Sequence, residues 1–399
     1  MCGKIYEMAE KNDSIASGDI AVGNVGERKT KTFLVIAPKT SNLISFRGDL
    51  LCDIKKKGYN IVAIIPEDEE REFFKKNDIK TRLIELDKNS LSPFGVINYY
   101  RNLKKIIKEE KPDKVFSYTI KPVIFGSVAA RKSGVKDIYS LICGLGILFC
   151  SNSWKIKLLR PIGGMMYKYA LKCNKKVIFQ NKDDIADFVA HGYVKREQCE
   201  LVNGSGVDLK KFVRNKLPKN RVSFLMTSRI LKEKGVLEYA RAAKIVKEKY
   251  PEVEFVFAGS VDKNKNAVDV AVLQSYADDG VIKFEINSKE VPKLLAESSV
   301  FVLPSYYREG IPKASIEATA MGRPILTTNT PGCRETVVDG ENGFFVKVKR
   351  ANDLAKKMIW MVEHRDKLQK MGDKSYEMCK EKFTIEIIDA RMMEIMGVE

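Results

Sequence analysis

From residue 33 onward, short apolar runs alternate with longer stretches whose apolar positions recur every three or four residues. The runs at 33–37, 60–65, 80–86, 114–118, 136–143 and 176–180 predict strands, and 49–57, 94–110, 123–133, 155–173 and 183–191 predict helices between them. A polar stretch at 209–220 follows, with four lysines, one arginine and one proline. The alternation then restarts. Strands are predicted at 222–227, 254–258, 281–285, 300–303, 324–327 and 343–346, and helices at 235–250, 289–297 and 312–321, before two long helical stretches finish the chain. Continuous apolar strands separated by helices predict parallel sheets covered on both faces.

The pattern therefore predicts an α/β protein of two Rossmann-like, doubly wound domains in tandem, facing each other across a cleft. The expected organisation is a loose N-terminal extension at 1–30, a first domain at 31–210, a linker at 211–220, a second domain at 221–380 and a C-terminal helix at 381–399. Doubly wound sheets bind ligands beyond the carboxyl ends of their strands, so the cleft is the expected ligand site.

Composition narrows the class. The chain has 399 residues with 44 % hydrophobic and 31 % charged positions, which excludes a mostly disordered chain, a collagen-like repeat or a small disulfide scaffold. Eight cysteines in irregular spacing, with no CxxC pair, read as reduced thiols of a cytosolic protein. The two histidines, His191 and His364, argue against a histidine-rich metal site or a Ser-His-Asp triad; both read as structural. The N-terminal residues lack the apolar core of a secretory signal. The longest uncharged apolar stretch, 138–150, has 13 residues, short of the roughly 20 needed for a membrane-spanning helix.

The net charge of +18 is uneven: residues 31–217 hold 36 basic and 20 acidic side chains, whereas 218–399 hold 30 and 27. Between Asp137 and Asp183 no acidic residue occurs, while Lys155, Lys157, Arg160, Lys168, Lys172, Lys175, Lys176 and Lys182 do, interleaved with Trp154, Met165, Met166, Tyr167 and Tyr169. Such a stretch suits lipid headgroups or a phosphate-bearing substrate, and it also reads as a solvated basic face. Nucleic acid is the weakest reading, because no helix-turn-helix, zinc finger or RNP pattern accompanies the charge, and no nucleic-acid partner is expected.

The densest chemistry lies at 303–318. A strand ends at Leu303, a short loop follows, and Pro312 is expected as the first residue of a helix. Gly310 allows close backbone approach, and the free N–H groups around Gly310, Ile311 and Pro312 favour an anion. Glu309 stands just before that turn and Glu317 eight residues later. Such a pair can accept hydrogen bonds from sugar and ribose hydroxyls; alone it also describes an ordinary helix with one N-terminal and one exposed glutamate. Upstream, Arg229 and Lys234 follow a predicted strand end and suit a diphosphate. Downstream, 330–344 is a glycine-punctuated loop, and Gly206-Val207-Asp208 with Phe212 precedes the polar stretch.

In this order and spacing, the segments resemble the family 4 glycosyltransferases, whose GT-B fold has two Rossmann-like domains. The Glu-seven-residues-Glu signature matches Glu309 and Glu317, the family's Arg and Lys match Arg229 and Lys234, and the likeness covers about residues 31 to 385. The resemblance implies transfer of a sugar from a UDP-sugar donor with retention at the anomeric carbon. It implies that Arg229 and Lys234 neutralise the leaving diphosphate, that Glu309 contacts the donor sugar and that Glu317 holds the ribose. No metal and no cofactor is expected, since the cations and the helix N-terminus replace them electrostatically.

The segments 118–122 and 141–149 look like those of bacterial members that extend lipid-carrier-linked saccharides in surface polysaccharide or glycoprotein assembly. That implies a lipid-linked saccharide acceptor, and an anionic membrane surface met from the cytoplasmic side as a peripheral protein. Lys39, Arg47 and Lys121, near predicted strand ends, are the acceptor-side candidates, each also readable as a surface cation. Two positions depart from the family pattern: Pro38-Lys39-Thr40-Ser41-Asn42 stands where many relatives have a Gly-Gly loop, and Cys143-Gly144 where many have a histidine. The resemblance thus assigns no catalytic residue to the first half.

Two rival readings compete with this one. A GT-B phosphorylase or 2-epimerase would need greater length with a pyridoxal lysine, or more histidines. A catalytically silent scaffold that binds a nucleotide-sugar or an anionic surface would be favoured by loss of Glu309, Glu317, Arg229 or Lys234, all of which are present.

Overall fold

A computed structural model describes residues 30–84, 93–144, 154–262, 266–288 and 290–399. The expectations for the N-terminal extension and for 145–149, and the side chains of Lys155 and Lys157, fall outside the described residues.

The first sheet is built from β1 (Thr32–Ile36), β2 (Asn60–Ile65), β3 (Lys80–Leu83), β4 (Lys114–Tyr118), β5 (Asp137–Ile142), β6 (Lys176–Phe179) and β7 (Cys199–Leu201). All its pairs are parallel, in the order β3-β2-β1-β4-β5-β6-β7. Its helices are α1 (Thr40–Lys56), α2 (Arg71–Lys76), α3 (Pro93–Glu110), α4 (Ser127–Lys132), α5 (Trp154–Leu171) and α6 (Lys182–Ala190), with a π-helical turn at Pro122–Gly126 leading into α4. Buried residues run almost without interruption along β1, β2, β4 and β6, because both faces are covered. Phe33, Val35 and Ala63 pack with Leu43 and Leu50 of α1, while Leu34, Ile36 and Ile64 pack on the other face with Leu103 and Ile107 of α3.

The second sheet contains β8 (Ser223–Arg229), β9 (Glu254–Ser260), β10 (Lys283–Ile286), β11 (Val300–Leu303), β12 (Ile325–Thr328) and β13 (Gly343–Val346), all parallel, in the order β10-β9-β8-β11-β12-β13. Around it lie α7 (Val236–Lys249), α8 (Val270–Asp278), α9 (Val291–Glu297), α10 (Lys313–Ala320), α11 (Ala351–Glu363) and α12 (Arg365–Lys382). The last helix, α13 (Ile385–Met396), crosses back to the first sheet. Its Ile388, Met392 and Met396 share a core with Leu43, Leu50 and Leu51 of α1, and Arg391 pairs with Glu200 at 2.7 Å.

Two local expectations need correcting. Helix α1 begins at Thr40, nine residues before the predicted start, so Arg47 lies within a helix and not near a strand end. Its buried positions Leu43, Arg47, Leu50, Leu51 and Ile54 keep one helical face, but a serine- and asparagine-rich first turn and a buried arginine hide that period. Pro312, expected as the first helical residue, is the extended cap (φ −63°, ψ 120°) before α10.

Candidate active site

The carboxyl ends of five strands converge on one cleft of about 520 Å³ between the sheets. Tyr118 and Thr119 reach it from β4, Cys143 from β5, Gln180 from β6, Thr227–Arg229 from β8 and Leu303 from β11. This is the position the doubly wound topology dictates.

Lys234 enters through a glycine. It ends a 3-10 turn, and Gly235 follows in the left-handed region (φ +77°), where a Cβ would stand 2.4 Å from the Pro304 carbonyl oxygen. The bare backbone lets this turn press on the loop after β11, beside Ser305 and Glu309. Lys234 Nζ meets Glu309 Oε2 at 2.6 Å, and Ser305 Oγ donates to Glu309 Oε1 at 2.8 Å. Both charged side chains are largely shielded, at 11 % and 12 % exposure. Both carboxylate oxygens are thus held, which fixes the acceptor orientation of Glu309. Lys234 also lies 5.9 Å from the centre of the Tyr307 ring. Arg229, half-exposed at the end of β8, is paired with Asp262 at 2.8 Å.

The first domain holds the loop that carries Glu309. Asn181 Nδ2 donates to the carbonyl oxygens of Glu309 at 3.1 Å and Gly310 at 3.3 Å, while Asn181 Oδ1 caps α6 by accepting from the Asp184 amide at 2.8 Å. Arg308 pairs with Asp184 at 3.3 Å and Asp187 at 2.5 Å, and Arg334 with Asp183 at 3.2 Å. Asp184 is fully buried, and burial pushes its carboxyl up to about 6 against the opposing pull of Asn181 and Arg308. The backbones themselves nearly touch: a Cβ on Gly144 (φ +101°) would lie 2.6 Å from the Arg308 carbonyl oxygen.

The residues singled out by sequence divide into groups. Arg229, Lys234, Glu309, Gly310, Ile311 and Pro312 all line the cleft. Glu317 does not; it lies one helical turn past Lys313 on α10, and burial lifts its carboxyl to about 7 despite the nearby Lys313 and Lys211 charges. Of the acceptor-side candidates, Arg47 lines the cleft, whereas Lys39, the exposed cap of α1, and Lys121, before the π-helical turn, are not among its lining residues. Sequence reasoning missed Ser305, Asn181, Gln180 and Lys313. Lys313 lines the cleft from the first position of α10, donates to the Ser45 carbonyl and lies 4.7 Å from the Phe46 ring centre. Burial is the main reason its ammonium is shifted down. The cluster Asp183, Asp184 and Asp187 directly after β6 was the visible signal for the interdomain contact.

Comparison with known proteins gives matches in both halves. Residues 208–378 match the family described as glycosyl transferases group 1, and residues 43–181 the glycosyl transferase 4-like family. An N,N'-diacetylbacillosaminyl-diphospho-undecaprenol alpha-1,3-N-acetylgalactosaminyltransferase of Campylobacter jejuni is 27 % identical over 336 residues, 81 % of this chain and 87 % of that protein. A UDP-Gal:alpha-D-GlcNAc-diphosphoundecaprenol alpha-1,3-galactosyltransferase of Escherichia coli is 27 % identical over 281 residues, covering 66 % of this chain and 70 % of that one. Among solved structures, Anabaena HepE in complex with UDP superposes with a TM-score of 0.72 at 16 % identity, covering 92 % of this chain and 100 % of that one. Sucrose-phosphate synthase of Thermosynechococcus elongatus gives 0.74 at 18 % identity, covering 92 % and 98 %. At such identities the structural likeness speaks for the fold.

Proposed function

We propose, on the premise that the chain belongs to the GT-B glycosyltransferases, with a group 1 second half and a 4-like first half, that it moves a hexose or N-acetylhexosamine from a UDP-sugar to a lipid-linked saccharide on an undecaprenyl-diphosphate-type carrier. The observation that carries the donor half is the shielded Lys234–Glu309 pair in the cleft, 2.6 Å apart, with Arg229 at the neighbouring strand end. A departing UDP is an anion, and Lys234 and Arg229 supply two positive charges in fixed positions for it. Glu309, held through both oxygens, accepts hydrogen bonds from the donor sugar. The acceptor class is supported by the Campylobacter and Escherichia relatives, whose names specify diphospho-undecaprenol acceptors. The names of both also specify alpha linkages, and a UDP-hexose is itself alpha-linked, which supports retention.

The same reading takes the protein to an anionic membrane surface as a peripheral protein on the cytoplasmic face. No described helix is long and apolar enough to cross a membrane. On α5, Ile162, Met165 and Tyr169 are 50 %, 63 % and 57 % exposed at helical spacing, flanked by Arg160, Lys168 and Lys172. An apolar stripe bordered by cations suits an interface of acyl chains and anionic headgroups.

Calorimetry of the full chain with UDP, GDP and a panel of UDP-sugars, without added metal, tests the donor half. Preferential UDP binding with selection of one sugar is the expected result. Absence of nucleotide binding would overturn it in favour of a silent scaffold.

A further inference from the structure

Arg47 is a charged side chain without a full set of partners in a place where that is costly. It is 3 % exposed, lines the cleft from α1, and its Nη1 has no hydrogen-bond partner among the described residues. On the same wall, Tyr118 at the end of β4 is 4 % exposed, and its hydroxyl also has no partner among the described residues. The two are close enough for the guanidinium charge to act on the phenol. A buried donor without an acceptor is destabilising, and more so when it is charged. In native proteins such groups call for a partner, and on the wall of a ligand cleft a bound ligand can supply it.

The surroundings do not complete them. Facing Arg47 are Lys313 from α10, which adds like charge, and Asp389 from α13. Burial and the neighbouring Asp53, Asp49 and Glu386 push the Asp389 carboxyl up to about 7, so it balances Arg47 only in part near neutral pH. A neutral sugar hydroxyl could accept from Tyr118, but it would leave the buried guanidinium without a countercharge.

We propose that Arg47 and Tyr118 seat a phosphoryl oxyanion of one of the two substrates, forming a second anion site on the first-domain wall, distinct from Arg229 and Lys234. This rests on the transferase reading, in which donor and acceptor each bring a diphosphate. A guanidinium and a hydroxyl on one cleft wall both offer donors to phosphate oxygens.

The test is calorimetry of the full chain, as wild type, Arg47→Gln and Tyr118→Phe, with three probes: UDP, farnesyl diphosphate and farnesol. Arg47→Gln should weaken one of the two phosphate-bearing probes about tenfold or more. Tyr118→Phe should weaken the same probe several-fold while leaving thermal stability equal or higher, because the lost hydroxyl bonds to none of the described residues. Loss of UDP affinity makes the donor the source of the oxyanion; loss of farnesyl diphosphate affinity makes it the acceptor. If Arg47→Gln does not fold, Tyr118→Phe decides alone. Unchanged affinity for both phosphate probes overturns the site, as does an equal loss for farnesol. A wild-type protein that ignores UDP fails the transferase reading itself, before either variant is compared.

Discussion

Lys234 and Glu309 stand 75 residues apart in sequence and 2.6 Å apart in the cleft, and Ser305 holds the second oxygen of the same carboxylate. The contact joins the turn after β8 to the loop after β11, the two strands that adjoin at the centre of the second sheet. It links the cation suited to the leaving diphosphate directly to the carboxylate suited to the donor sugar.

Glu309→Gln should therefore separate chemistry from binding. The amide keeps the shape and one acceptor oxygen but removes the charge that pairs with Lys234. Turnover should fall by about 10²–10³-fold, the scale of removing one electrostatic group from a preorganised site. UDP affinity should hold within tenfold, since on the proposed reading the freed Lys234 still meets the diphosphate. Near-normal turnover in a transfer assay would remove Glu309 from the reaction.

The two cations should not be equivalent. Lys234 is 11 % exposed and Arg229 47 %, so solvent screens Arg229 more strongly. Lys234→Ala also leaves Glu309 as an uncompensated negative charge in the cleft proposed to take the diphosphate. Charge-assisted contacts contribute about 1.5–3 kcal/mol, so Lys234→Ala should weaken UDP binding by ten- to a hundredfold and Arg229→Ala by less. Calorimetry with equal losses, or none, would contradict the ordering.

The second domain was the more legible half, and the reason is local. Arg229, Lys234, Glu309 and Gly310 sit within a few residues of strand ends, where a short motif carries its own geometry. Arg47 shows what sequence hides. Its helix starts nine residues earlier than propensity suggests, because Thr40, Ser41 and Asn42 mask the period that Leu43 begins. Asn181 and Arg308 escaped for another reason: their partners lie across the cleft, more than 120 residues away in sequence. The return of α13 to the first sheet is likewise a tertiary fact, since an amphipathic helix shows its apolar face without naming the surface that covers it.

The exposed stripe of α5 makes two separable predictions. Neutralising Arg160, Lys168 and Lys172 together should reduce binding to phosphatidylglycerol vesicles by about 1 kcal/mol per charge and flatten its salt dependence. Ile162→Asp with Met165→Asp should weaken binding even where salt has screened the charges, because it removes buried apolar area. Vesicle co-sedimentation indifferent to both sets would exclude α5 as the contact.

Gly144→Ala probes the closeness of the two domains. The position has φ +101°, and its Cβ would lie 2.6 Å from the Arg308 carbonyl oxygen and 2.8 Å from the Gly310 nitrogen. Either the loop carrying Glu309 moves or the domains part, at a cost of about 1–3 kcal/mol in stability. UDP affinity should fall less than transfer, because Arg229 and Lys234 lie outside the displaced loop, Arg229 at the end of β8 and Lys234 in the turn after it. Transfer should fall by up to about a hundredfold, as displacements near 1 Å do. A variant with wild-type turnover would show that the close approach is not needed for the reaction.

Glu317 should couple pH to both stability and binding. Burial raises its carboxyl from the ordinary 4.5 to about 7, so between those values the folded chain holds a proton that the unfolded chain releases. Stability from this group is complete below about pH 4.5 and falls as pH rises to about 7, by up to about 3 kcal/mol. Asp184, lifted to about 6, and Asp389, lifted to about 7, act in the same direction. The Glu317 share is therefore read as a difference: the loss of melting temperature from pH 5 to pH 8 should be smaller in Glu317→Gln than in wild type. If ribose hydroxyls donate to this carboxylate, UDP favours its ionised form. Binding should then release protons near pH 6.5, seen as a dependence of the calorimetric heat on buffer ionisation enthalpy, and UDP affinity should rise toward pH 8. Both effects should vanish in Glu317→Gln. Proton release that persists in that variant would assign the linkage to another group and detach Glu317 from the ribose.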